Sequence, residues 1–273
     1  IQENWNFFSD PVYGGKILNY VLKFINSSIK KSNELIDFNR DILENINYWD
    51  KLKNKLKWES RYLTETSNLE DLGWDGFFAE GIELKKEEKF YRARLHETVD
   101  TKEFSSGEMF CPNKINSTAG RANPIGIPYL YLCDNEETTL YEIRASNLDE
   151  ISIASFKLKQ NLDEKIMISD FTEIPSLFGS DNINARIKST LLKKMISSDL
   201  SKPLRRYDSE LDYIPTQFIC EFIKVKAGVQ GIKFKSSLHN SGNNVVIFNQ
   251  EFMECVDVKK VRITKVEIQS TRY

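Results

Sequence analysis

Between Gly120 and Ala145 the chain reads GRANPIGIPYLYLCDNEETTLYEIRA, and these 26 residues limit what the polypeptide can become more than any others. An arginine beside a glycine opens a turn punctuated by proline and glycine. Tyr129 to Cys133 then has the character of a short strand, and Glu136 to Asn147 that of a helix, with Asp134 or Asn135 as its cap. Arg121, Tyr131 and Glu142 each sit near the end of a different short element, so the three side chains can converge. An anion could meet the arginine and a hydroxyl-bearing ligand the glutamate. Taken alone, the simpler reading is a surface turn followed by an ordinary amphipathic helix.

Before this stretch the pattern is helical. A polar turn is expected at Asp10, Pro11, Gly14 and Gly15, followed by one helix face at Leu18, Val21, Leu22, Ile25 and Ile29. Ser32 or Asn33 could cap a second helix, whose apolar residues Leu35, Phe38, Ile42, Ile46, Trp49, Leu52 and Leu56 step by three or four. From Asn68 to Ile82 the glycines and aromatics suggest a connector, and a domain boundary is expected near residue 85, giving a helical region 1–85 and a second domain 86–273. The chain begins at Ile1 without methionine, which leaves room for an upstream segment.

Glu88 to Leu95 (EKFYRARL) reads as a strand with Phe90, Arg92 and Arg94 on one face and Tyr91, Ala93 and Leu95 on the other. Two arginines on one face need a partner, unless this is an edge strand with a wet face. The residues up to Gly120 form a long loop, of the kind that is often functional. Strands are expected at Ile151 to Leu158, Lys165 to Ile168, Gly231 to Ser237 and Asn244 to Asn249. Helices are expected at Ile183 to Leu200, with Ile183, Ile187, Leu191, Met195 and Ile196 buried and Pro203 closing it, and at Pro215 to Lys226, stopped by Gly228. Val261, Ile263, Val266 and Ile268 suggest a terminal hairpin. Strands and helices mix without regular βαβ alternation, so the fold class is α+β.

Composition narrows the function. With 38 basic and 40 acidic residues, net charge is -2, which gives no global attraction to nucleic acid or anionic lipid. Cys111, Cys133, Cys220 and Cys255 are scattered without a CxxC, as expected of reduced thiols. No apolar run is long enough to span a membrane, and a cytoplasmic location is expected. There is no GxxxxGK[ST] or GxGxxG loop, and His96 and His239 lack a second ligand at metal spacing, so no metal centre is expected. A ribonuclease of the HEPN type needs four to six residues between its Arg and its His, whereas three lie between Arg92 and His96 and one between Arg94 and His96.

Arg92, Arg121, Tyr131, Glu142 and Ser236 remain, each at the end of an expected element. The segments that hold them are FYRAR, GRANPIG, YLYLCDNEETTLYEIRA and GIKFKSS, the last followed by a glycine- and asparagine-rich turn and NVVIF. In order and spacing, from Phe90 to Phe248, they resemble the RES domain family. That resemblance implies an ADP-ribosyltransferase-like mixed α/β domain behind an accessory helical region. It also implies an enzyme that destroys NAD by cutting its nicotinamide–ribose bond, with phosphate or water as acceptor: an NAD phosphorylase or glycohydrolase, typically the toxin of a bacterial toxin–antitoxin pair.

On this resemblance Arg92, Arg121 and Glu142 would be catalytic. Tyr131, Ser236, Arg94 and Tyr91 would join the two arginines in binding substrate. Ala93 follows Arg92 where members often carry an aromatic, so nicotinamide stacking would fall to Tyr91, Tyr131 or another ring. NAD would be substrate and no cofactor tightly bound; an antitoxin or inhibitor protein is the expected partner, and a homo-oligomer is left open. The chemistry suits the residue types: a carboxylate stabilises an oxocarbenium-like transition state, and guanidinium binds pyrophosphate in a planar fork. For Ser236 a strand-end serine satisfying local backbone is an equal reading, and for Tyr131 a plain core tyrosine is the alternative. ADP-ribosyl transfer to a macromolecule and a non-catalytic module that senses NAD or another nucleotide are the functional alternatives.

Overall fold

In the computed structural model of the chain, the alternating segments become neighbouring strands of one mixed sheet. The structure describes residues 8, 10–25, 28–34, 37–98, 101–172, 182–202 and 210–267; Leu35, Pro203 and Ile268 lie outside them. Two compact units are formed, one from Ile1–Lys53 with Glu173–Lys194 and the other from Asn54–Thr172 with Met195–Tyr273.

In the first unit, helix α1 (Pro11–Val21) begins where a turn was expected. Asp10 accepts the backbone N–H groups of Val12 at 2.7 Å and Tyr13 at 3.3 Å, and Pro11 supplies the fixed φ of a first helical residue. Of the expected apolar face, Leu22 is buried but Val21 and Ile25 are exposed. Helix α2 (Arg40–Trp58), whose residues from Asn54 on belong to the second unit, starts later than a Ser32 or Asn33 cap would place it, because Asn39 accepts from the N–H of Ile42 at 2.9 Å. Its buried stripe, Ile42, Asn45, Trp49, Leu52 and Leu56, follows the sequence periodicity closely.

In the second unit the connector is itself helical, with α3 (Ser67–Asp71) and α4 (Trp74–Ala79). Trp74 and Phe78 are fully buried, and Phe78 meets Phe171 and Phe222 edge-on, ring centroids 5.8 and 6.4 Å away. Burying each such side chain is worth about 1.5–3 kcal/mol.

The strands are β1 (Ile82–Glu83), β2 (Phe90–Leu95), β3 (Leu130–Cys133), β4 (Glu150–Leu158), β5 (Met167–Asp170), β6 (Gly231–Lys235), β7 (Asn243–Ile247) and β8 (Met253–Arg262). They lie in the order β1-β5-β6-β7-β3-β2-β4-β8, antiparallel except for β5 beside β6. Strand β2 is interior, so its arginines do not face water from an edge. It pairs with β4 along its whole length, yet with β3 only at Tyr91 opposite Cys133. The sheet is thus two halves joined at a single pair.

Helix α5 (Glu136–Glu142) is capped by Asn135, which accepts from Thr138 N–H at 2.9 Å, while Asp134 is taken by Asn243. It stops short of the expected Asn147, since Arg144 adopts a φ of 53°. Helix α6 (Ile183–Ser201) buries Leu191, Leu192, Ile196 and Leu200 but leaves Ile183 exposed. Helix α7 (Ile214–Phe222) runs on in a wider π turn to Ala227 and ends at Gly228, φ 70°. No terminal hairpin forms among the described residues. Instead β8 pairs with the full length of β4, and a bulge at Ser155/Phe156 disturbs the register.

Candidate active site

Strand β3 delivers the first groups. Its alternation puts Tyr131 and Cys133 on one face, and the antiparallel register places Val246 and Asn244 of β7 beside them. Two residues past Cys133 the Asn135 cap starts α5. Leu140 and Ile143 settle on Ala93, Ile151 and Ile153, and the helix end brings Glu142 to β6 and β7. There Glu142 Oε1 accepts hydrogen bonds from Ser236 Oγ at 2.7 Å and Asn244 Nδ2 at 2.8 Å.

Each of those donors is itself held. Ser236, 8% exposed just beyond β6, accepts the backbone N–H groups of Leu238 at 3.2 Å and His239 at 3.0 Å. Asn244, 7% exposed, accepts the thiol of Cys133 at 3.3 Å. Burial first, and then the negative charges of Glu142 and Asp134, push the Cys133 thiol well up, so it stays protonated and can donate. The turn after Ser236 is packed against α5: His239 Nδ1 bonds Thr138 Oγ1 at 2.8 Å, and its ring stacks on Tyr141 at 4.7 Å. A Cβ on Gly242 would come within 1.9 Å of Thr138 Oγ1, so only glycine lets the turn approach this closely.

A second group surrounds the Gly120 loop. The Tyr131 hydroxyl donates to Asn123 Oδ1 and accepts from Ala122 N–H, both at 2.9 Å. Gln217 of α7 donates to the carbonyls of Gly120 at 2.8 Å and Asn123 at 3.1 Å. Arg121 turns to the end of α6 and donates to the carbonyls of Leu200 at 3.1 Å and Ser201 at 3.4 Å. These are the orphan carbonyls of a helix C-terminus, where a cation is stabilising.

A third group lies on β2. Arg92 bonds the Cys111 thiol, and burial is the chief cause that lowers its pKa. Its Nη1 is buried without a partner, a condition that costs about 1–3 kcal/mol or more for a charged group. Arg94 donates to the Glu108 carbonyl and lies over the Phe104 ring, 5.2 Å from its centroid. Tyr91, half-buried, leaves β2 on the opposite face from Arg92 and beside Cys133.

The structure therefore joins Glu142 directly to Ser236 and sets Tyr131 two positions from Cys133 on the same strand face. Tyr131 in turn fixes the loop that bears Arg121. Arg92 and Arg94 stand across the place where β2 and β3 part, on the alternate face of β2. Sequence reasoning missed Asn244, Cys133, Asn123 and Gln217. The signal for Asn244 was present, as a polar residue opening the apolar strand NNVVI; the other three carried none.

A family profile for the RES domain matches residues 89–268, more than half of the 273-residue chain. The chain belongs to the RES domain family. No curated protein and no solved structure matches it. The RES domain of this chain runs from β2 through β8 and holds every site residue named above; the helices α1–α4 precede it. Among the described residues no helix is long and apolar enough to cross a membrane.

Proposed function

We propose that this RES domain protein consumes NAD, cutting the bond between nicotinamide and ribose. The observation that carries the reading is Glu142: a half-buried carboxylate whose Oε1 is fixed by two donors, so that Oε2 is the oxygen offered to a ligand. As the C1′–N bond breaks, nicotinamide leaves as a neutral molecule with the bonding electron pair. Positive charge grows on the ribose, and a preorganised carboxylate stabilises it. An oxygen of phosphate or water then bonds C1′, with loss of a proton, which makes the enzyme a phosphorylase or a glycohydrolase.

The buried, unpartnered Nη1 of Arg92 suits an anionic oxygen of the dinucleotide. In this reading Arg121 acts by holding its loop to α6 as much as by charge, Tyr131 offers its ring to the nicotinamide, and Ser236 serves Glu142. Arg94 and Tyr91 flank the Arg92 position. NAD is substrate and not a resident cofactor. An enzyme that drains NAD endangers its host, so an inhibitor protein and a cytoplasmic setting belong to the same proposal.

Incubating the purified protein with NAD, with and without phosphate, tests the reading through nicotinamide release. Glu142→Gln is expected to slow release by about two to three orders of magnitude. No release under either condition defeats it. Radiolabel from NAD left on a macromolecule would replace it with ADP-ribosyl transfer, and thermal stabilisation by NAD without turnover would replace it with a sensing role.

A further inference from the structure

Both hydrogen bonds to Glu142 end on Oε1, and each donor is oriented from behind by a further contact. The Ser236 oxygen accepts two backbone N–H groups, which occupy its lone pairs and leave its proton to point at Glu142. On the other side the carboxylate can only accept, so the NH2 of Asn244 must face it and the amide oxygen must face Cys133. A protonated thiol donates to that oxygen. Were the amide to flip, its oxygen would meet the carboxylate and both interactions would be lost.

We propose that Asn244, locked in one amide orientation by the Cys133 thiol, is a positioning residue for Glu142. The relay Cys133 to Asn244 to Glu142 spans two adjacent strands and the end of α5, and its first two side chains leave little room for water. Asn244 and Cys133 are 7% and 6% exposed. Its purpose is to hold one carboxylate oxygen still so that the other is aimed. A carboxylate that wanders still lets substrate bind, but it meets the developing charge of the transition state less often; the loss should therefore fall on kcat and not on KM.

The kinetic test rests on the NAD-cleaving reading; a second measurement does not. In Asn244→Asp, which keeps shape but replaces the donor by an acceptor, kcat for nicotinamide release should drop about ten- to a hundredfold with KM changed by less than about threefold. Cys133→Thr and Cys133→Val have the same shape and suit a strand, but only threonine donates. Threonine should retain most of the turnover and valine should lose several-fold, at matched melting temperatures.

Equal rates for threonine and valine, or an Asn244→Asp loss confined to KM, would overturn the inference. In the second measurement, the side-chain NH2 resonances of Asn244 in a 1H–15N spectrum should move in Glu142→Gln and in Cys133→Val. If they stay in place in both, the relay is refuted. If the unmodified protein releases no nicotinamide, the functional reading fails and the spectrum alone decides the relay.

Discussion

Replacing Tyr131 by phenylalanine removes one oxygen atom and leaves the ring, which separates two roles for this residue. The hydroxyl holds Asn123 Oδ1 and Ala122 N–H, each at 2.9 Å, and Ala122 and Asn123 are 0% and 4% exposed. Asn123 cannot turn its amide to compensate, because its Nδ2 already serves the carbonyls of Thr118 at 3.1 Å and Pro124 at 3.2 Å. The void is smaller than a water molecule. Two buried groups are therefore stranded, at about 1–3 kcal/mol each, so the variant should lose about 2–6 kcal/mol of stability. At about 2–4 °C per kcal/mol for a domain of this size, that lowers the melting temperature by roughly 4–24 °C. Thermal unfolding followed by circular dichroism measures it, and a urea titration with unchanged slope would show that the native state alone was altered. In the NAD assay KM should rise, since the same loop bears Arg121. A variant that melts within about 1 °C of the parent would refute the anchoring role of the hydroxyl.

Three other outcomes follow from the same geometry. Cys133 and Cys220, with ordinary values of 9.0, and Tyr129 and Tyr131, with ordinary values of 10.0, are all pushed upward, chiefly by burial. The native state keeps these protons while the unfolded chain loses them. Stability should thus be intact below about pH 9 and fall above it by about 1.4 kcal/mol per pH unit for each group passed, as denaturant titrations from pH 7 to 11 would record. Gly242→Ala forces a Cβ onto Thr138, so turn and helix must separate; activity should fall more than tenfold, about 1.4 kcal/mol or more, even where far-ultraviolet dichroism is preserved. Phe78→Ala empties a site ringed by Trp74, Phe171 and Phe222 and should destabilise the protein by about 3–5 kcal/mol in urea unfolding.

The elements legible in the sequence are those whose burial follows one simple period. Helix α2 shows it, since Ile42, Trp49, Leu52 and Leu56 are buried at the spacing that the residues advertise. Strand β8 does not, because the bulge at Ser155/Phe156 shifts its partner register, and a terminal hairpin was expected in its place. At the start of α1, Asp10 and Pro11 serve equally in turns and at helix N-termini, and only the hydrogen bonds to Val12 and Tyr13 decide between them. Glu142 and Ser236 were singled out through the motif, though not as partners of each other. Asn244 and Cys133 were not, because their contact depends on the register of β3 against β7, a long-range fact that no local pattern encodes.

The lone rung between Tyr91 and Cys133 has a mechanical consequence. Elsewhere in the middle of the sheet, parting two neighbours would break a whole ladder, whereas along this line it breaks one step. Compliance is greatest there, beside Arg92 and the thiol that steadies Asn244. Were the sheet to part along that line, both halves would remain fully laced.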